Sequence, residues 1–328
     1  MNVRKVLEPD AIPSIDDPEF GEEYIGHDDD EVLVLDGEVP KAYPLRILNF
    51  HEVVNDTLES ESPPGSSSDS DDSIDGDPVA VTWCPLCASA VVYERTVDGQ
   101  VLTLGVSGKL ADDDLVMYDR ETGSEWKQSL GECIAGEFEG RELAVRPAGI
   151  VTWEQFVEEY PGGVVLQPAN TESEAASDDD EPAPVDYLDD PYEAYFETEE
   201  FGLLAHREGE GRSWDRDDVA AKTVVLGIEH GDEAVGYPEH RVRDAGGVVT
   251  DTVGGSDVVV FATDDGMHAF ANPGYEFEST GDGFRVDGTT WDPATGASDD
   301  GRQLERFPAR RLFAFTWQDD HGRESFYR

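Results

Sequence analysis

The sequence predicts a mainly β fold (α+β) with a few short helices, arranged as two tandem repeated units of similar topology. Three observations carry this reading. Short runs of β-formers alternate with Gly and Asp turns, as in "EVLVLDG", "AVVYERTVDGQVLTLGV", "DLVMYDRETG" and "ELAVRPA". Several short stretches recur in the second half in the same order. Two acidic, low-complexity segments punctuate the strands.

Taken in chain order, residues 1–30 form an N-terminal extension expected to pack on the first unit, 31–166. A single amphipathic helix is expected over 45–58, "LRILNFHEVVNDTL", from apolar residues at 45, 47, 48, 50, 53, 54 and 58. The segment 59–78, "ESESPPGSSSDSDDSIDGDP", reads as a flexible surface insertion. "TWEQFVEEYPGG" predicts a short helix with Thr152 as N-cap, Gln155 at its third position and a Pro-Gly stop. Residues 167–221 form an acidic linker and connecting segment, in which 168–186 is expected to project as an irregular loop. A second, degenerate unit follows over 222–328.

The repeat rests on six correspondences. "DGEVPKAYP" (36–44) lines up with "HGDEAVGYP" (230–238), and "VVNDT" (53–57) with "VVTDT" (248–252). "PVAVTW" (78–83) matches "DVVVFA" (257–262), and "DRETG" (119–123) matches "DPATG" (292–296). "GRELAVRPA" (140–148) pairs with "GRQLERFPA" (301–309), and "VTW" (151–153) with "FTW" (315–317). Any one of these is worthless alone; six in one order indicate an internal duplication.

Charge narrows the partners. The chain has 75 acidic against 23 basic residues, a formal net charge of -52, and lysine only at Lys5, Lys41, Lys109, Lys127 and Lys222. Such self-repulsion strains a compact state in dilute buffer, whereas molar salt screens it within about 3 Å. The acidity runs the whole length, alongside 38% hydrophobic residues that are enough to form cores. This is the composition of a protein from a salt-accumulating halophile. With no basic stripe, nucleic acid is excluded as a partner. No apolar run is long enough for a membrane span, and the first residues lack the apolar stretch of a signal peptide. A cytoplasmic location is expected, and three cysteines do not make a disulfide framework.

The chemistry concentrates in "VTWCPLCASAVVYER" (81–95). Its Cys84 and Cys87 admit three readings: a metal knuckle, a redox dithiol, or two small buried residues. The repeat offers an internal comparison. In the second unit, "ATDDGM" (262–267) takes the place of the cysteines, and Gly246 takes the place of His51. Asp264 and Asp265 are not apolar, as replacements for mere core filling would be. Cys84, Cys87 and His51 therefore form a candidate transition-metal site for copper, zinc or iron, with Met117 as a soft fourth ligand for copper. A thiol–disulfide or metal-dependent oxidoreductase is the enzyme alternative, and a non-catalytic binding or scaffold protein is the third. A thioredoxin-like helix after the motif is doubtful, because "ASAVVYERTV" is rich in β-branched residues.

"AIPSIDDPEF", "KAYPLRILNFHEVVNDT", "PVAVTWCPLCASAVVYER", "GVSGKLADDDLVMYDRETGSEWKQSLGE" and "DYLDDPYEAY", with "WDPATG" and "FAFTWQD" later, resemble domain-of-unknown-function family 3179. The resemblance covers most of the chain outside the two acidic insertions and implies no established activity. Many look-alikes appear secreted or lipid-anchored. Asp114, Tyr118, Asp119, Arg120 and Trp126 fall on the densest part of the pattern and are candidates to line a pocket. Asp112 and Asp113 stand where the family tends to have Asn-Ser, and Cys133 where it tends to have alanine, so Cys133 lacks support as a functional thiol. The acidic cluster at 112–114 and 119 does not have the spacing of an EF-hand.

The acidic surface generates a first prediction. The thermal midpoint should rise steeply with KCl into the molar range as repulsion is screened. A midpoint indifferent to salt, followed by circular dichroism, would refute halophilic adaptation.

Overall fold

The computed structural model describes residues 1–59, 76–177, 181–207, 209–264, 266–280 and 283–328. It is mainly β, with six short α-helices among the described residues. Most of the 59–78 segment and Asp265 lie outside the described residues.

A sheet common to both halves organises the chain. Its strands lie in the order Glu233–Pro238, Val224–His230, Arg310–Phe313, Ser89–Glu94, Asp77–Cys84 and Val53–Leu58, with Val145–Arg146 also pairing Ser89–Glu94. The seam between the halves is the antiparallel pairing of Arg311 with Ala90. Two five-stranded sheets flank the first half. One runs Val3–Lys5, Leu104–Ala111, Asp114–Asp119, Glu125–Lys127, Glu132–Ala135; the other runs Gly149–Thr152, Glu31–Leu35, Lys41–Pro44, Val164–Leu166, Phe20–Gly21. The N-terminal residues belong to this half: Val3–Lys5 pairs with Leu104–Ala111, and Ile12 and Ile15 are buried in its core.

The same pairings appear in both halves. Glu31–Leu35 pairs with Lys41–Pro44 and Gly149–Thr152, as Val224–His230 pairs with Glu233–Pro238 and Arg310–Phe313. A helix follows each Tyr-Pro, Leu45–Leu48 in one half and Glu239–Asp244 in the other, entered through Pro44 and Pro238 with the same ψ of 131°. A three-stranded meander then follows in each: Val53–Leu58, Asp77–Cys84, Ser89–Glu94, and Val248–Val253, Ser256–Thr263, Gly266–Ala271. Polar anchors recur as well. Tyr43 donates to Asp56 at 2.6 Å, and Tyr237 to Asp251 at 2.9 Å. Asp119 accepts from the Thr122 amide at 2.6 Å, and Asp292 from the Thr295 amide at 2.7 Å.

Two expectations are corrected. The helix expected over 45–58 stops at Leu48, and Val53–Leu58 is a strand. Glu52 takes a left-handed φ of 58°, which ends any helix, and the β-branched Val53, Val54 and Thr57 suit the pleat beyond it. The 168–186 segment does not project, as far as it is described. Ser173 is buried and donates to the Phe50 carbonyl at 2.9 Å, and Glu172–Ser173 pairs with Ala183–Pro184. Tyr187, Tyr192, Tyr195 and Phe201 then enter the first half's core, because a chain so rich in aromatics gains more by burial than its acidity opposes. The helix Trp153–Glu159 has the expected capping box between Thr152 and Gln155.

The Tyr-Asp anchors yield a second prediction. Asp56 is buried and also holds Lys41 at 2.7 Å, so Tyr43→Phe should cost about 2 kcal/mol, as expected for a hydrogen bond to a charged group. Tyr237→Phe should cost less, because Asp251 is only partly buried. Urea unfolding at constant molar KCl measures both; equal, negligible losses would remove the anchors from the account of stability.

Candidate metal centre

Cys84 ends a strand and Cys87 closes the 3₁₀ turn Pro85–Cys87. Residues three apart eclipse one another in such a turn, so both thiols project to one side. Pro85 supplies the fixed φ for the first turn position, and Ala88 leaves it at a left-handed φ of 44°. Across from them lies Asp114, placed by a hairpin in which Ala111 pairs with Asp114. The intervening Asp112 and Asp113 have φ of 55° and 71°, the signature of a tight turn that aspartate tolerates. The two Sγ atoms and a carboxylate oxygen of Asp114 lie within 4.8 Å of one another, and all three residues are buried.

The surroundings are polar yet incompletely bonded. Asp114 Oδ2 accepts from the Ser129 amide at 2.9 Å, while Oδ1 is buried without a hydrogen-bond partner. Ser89 Oγ, Gln128 Oε1 and Thr316 Oγ1 are likewise unpartnered. Ser89 stands opposite Cys84 in the ladder, Gln128 donates to the Ser89 carbonyl at 3.2 Å, and Thr316 lies beside Cys87. Lys127 forms an ion pair with Asp320, their side chains 2% and 1% exposed, and Ser129 Oγ donates to the other Asp320 oxygen at 2.7 Å. Thr316 and Asp320 come from the helix Ala314–His321, so the second half completes this surround.

Burial pushes both thiols up, Cys87 well above its usual range, with the neighbouring Cys84 adding to the effect. Asp114 is pushed up to about 6 by burial, with Lys127 opposing and Asp320 reinforcing. Burial works against the Lys127 charge, yet Asp320 and Asp114 raise its pKa overall. These thiols are the reverse of the partly exposed, acidified cysteines that attack disulfides. They suit a ligand that replaces their protons.

A cleft of about 860 Å³ opens on Cys84. Glu52, Leu86, Leu115, Tyr192 and His206 are among its walls. Burial, followed by the charges of Glu174 and Asp114, pushes Glu52 up to about 8. The His206 ring stacks on Tyr192 at 4.7 Å.

Of the residues singled out from sequence, Cys84, Cys87 and Asp114 are brought together. His51 does not join them: its Nδ1 lies 2.8 Å from the Pro13 carbonyl and its Nε2 2.7 Å from the Tyr187 hydroxyl. In the neutral ring Nδ1 donates to that carbonyl and Nε2 accepts from tyrosine. Met117 is fully buried in the strand Asp114–Asp119, opposite Val106 and Trp126. Tyr118 and Arg120 bind Asp10 at 2.6 and 2.8 Å at the surface, and Asp119 accepts from Trp126 Nε1 at 3.0 Å within a turn. None of these four, Tyr118, Asp119, Arg120 and Trp126, lines the cleft. Asp113 is paired with Arg4 and Arg212, which takes it out of any acidic cation cluster. Cys133 is buried with its thiol 3.4 Å from the Ala135 carbonyl. Sequence reading missed Glu52, Lys127, Asp320 and His206; for Glu52 a signal existed, since Gly247 occupies its place in the second half.

The fold and the site together define a β-rich protein with a buried dithiol–carboxylate centre at the foot of a cleft. The family model described as "Protein of unknown function (DUF3179)" matches residues 9–63 and 70–324, and the chain belongs to that family. Comparison with curated proteins and with solved structures returns no match. No helix among the described residues is long and apolar enough to cross a membrane.

His51 gives a third prediction. Burial lowers its pKa from 6.5 to about 4, against the pull of the Pro13 carbonyl. Above pH 6.5 the ring is neutral in both folded and unfolded chains. As pH falls from 6.5 towards 4, the unfolded chain takes up a proton that the native state refuses, and stability is lost at up to about 1.4 kcal/mol per pH unit. In His51→Gln this share should vanish, flattening the urea midpoint against pH over that interval. An unchanged slope would place the acid sensitivity elsewhere.

Proposed function

We propose that this protein binds a transition-metal ion through Cys84, Cys87 and Asp114, with zinc, copper or iron as the candidates. The observation that supports this most is the orphaned, buried Asp114 Oδ1 beside two converging thiols. A divalent ion accepts all three donors, and zinc–thiolate bonds of about 2.3 Å place two sulfurs roughly 3.8 Å apart on one tetrahedral edge. With both thiols protonated, Asp114 and Asp320 against Lys127 leave the site at minus one, and exchanging the two thiol protons for a divalent cation keeps that sum unchanged. Uptake would release the thiol protons, so affinity should rise with pH. The raised thiol pKa values argue against a disulfide-exchange enzyme, which remains the outcome if the cysteines titrate as a redox couple without metal.

The shared pairings and the Tyr-Pro, Tyr-Asp and Asp-Thr anchors support the further reading that the two halves descend from one duplicated unit, of which the first kept the site. A cytoplasmic location in a salt-accumulating cell fits the composition.

Elemental analysis of protein purified without chelator or affinity metal tests the proposal. About one equivalent of metal is expected, falling to background in Cys84→Ser and strongly reduced in Asp114→Asn, with near-native circular dichroism. Equal loading in the Cys84→Ser protein would refute the site.

A further inference from the structure

Three protein donors leave a tetrahedral ion one ligand short, and the structure shows on which side. The unpartnered oxygens nearby, Ser89 Oγ, Gln128 Oε1 and Thr316 Oγ1, are hydroxyl and amide groups rather than the thiolate, imidazole or carboxylate donors that hold zinc, and the remaining polar groups are committed elsewhere. Asp320 serves Lys127 and Ser129, and the Asp113 carbonyl lies 3.5 Å from the Cys87 thiol. Of the three donors, Cys84 lines the cleft, whereas Cys87 and Asp114 lie behind it.

Glu52 stands on that open side. Its carboxyl makes no hydrogen bond or ion pair among the described residues, although the residue is only 8% exposed and lines the cleft with Cys84. It is near enough for its charge to act on Cys84. Its backbone is equally unusual. The left-handed φ of 58° disfavours any residue with a Cβ, and the second half has Gly247 there, at φ 83°. The two positions do the same structural work: the Glu52 carbonyl accepts from Trp83 at 2.8 Å, the Gly247 carbonyl from Ala262 at 2.9 Å. The turn therefore needs glycine's freedom, not a carboxyl group. A buried, unpartnered acid held there against backbone preference is the mark of a functional residue.

We propose that the metal held by Cys84, Cys87 and Asp114 keeps one coordination position open to the cleft, that a small neutral donor molecule binds there, and that Glu52 hydrogen-bonds it. The inference rests on the metal reading above and makes the site open rather than structural, as three-ligand sites are. The cleft's volume suits a small molecule. Its charged walls select against anions, since Glu174, Asp186, Asp189 and Asp190 outnumber Lys109 and Arg207.

The test uses the full chain loaded with Co²⁺ in potassium sulfate, whose anion is a poor cobalt ligand, with imidazole as the neutral probe at about pH 8. Imidazole should shift the cobalt d–d bands saturably. Glu52→Gly should weaken imidazole about tenfold, the loss of one hydrogen bond, while raising the thermal midpoint of the metal-free protein by about 2–4 °C. Glu52→Gln, which keeps a carbonyl acceptor, should bind within about twofold of the parent. Cobalt–thiolate bands that ignore imidazole would overturn this proposal and leave the metal reading standing. So would unchanged affinity in Glu52→Gly. Absence of cobalt–thiolate bands altogether would overturn both.

Discussion

The ion pair between Lys127 and Asp320 is the interaction on which the rest of the structure turns. Both side chains are almost wholly buried, and they come from opposite halves of the chain. Either charge alone would cost several kcal/mol to desolvate, so the halves must meet in one register or not at all. Ser129 ties the pair to Asp114 by giving its hydroxyl to Asp320 and its amide to Asp114. The second half thereby sets the electrostatics of a site whose donors all lie in the first.

That dependence gives the second half a purpose. It contributes no thiol, yet its strand Arg310–Phe313 extends the first half's sheet, and the helix that follows brings Thr316 against Cys87. Phe313 and Phe315 complete the core around the dithiol. Tyr187, Tyr192, Tyr195 and Phe201 of the connecting segment belong to the same core. Tyr195 donates to the Leu86 carbonyl at 2.7 Å, fastening that segment to the turn that carries both cysteines.

Much of this was legible in the sequence, and what was not has physical reasons. Alternation and turn residues give the β class, and the Thr152–Gln155 spacing gives a capped helix. Cys84 and Cys87 announce their convergence through a local 3₁₀ turn, because sequence spacing controls geometry over so short a distance. Asp114 was visible only as a pocket candidate, since its place beside the thiols depends on strand packing across the molecule. His51 was misread as a ligand: its absence from the second half tracked with the cysteines, but the ring serves Pro13 and Tyr187 instead. The helix expected over 45–58 failed because apolar spacing could not reveal that Glu52 adopts a left-handed φ. In "DYLDDPYEAYFETEEFG" the acidic residues drew attention away from the aromatics that pack it down.

The seam at Arg311 and Ala90 also dictates an order of events during synthesis. Strand Ser89–Glu94 leaves the ribosome more than two hundred residues before the strand that pairs with it at Ala90. Val145–Arg146 can pair with Val92 and Tyr93 early, but at about 5–20 residues per second the Ala90 end of its edge waits roughly 10–40 s for Arg311. Through that interval the nascent first half exposes unpaired backbone and the apolar surface that Phe313 and Phe315 later cover. The dense negative charge of the nascent chain itself opposes association between neighbouring chains until then.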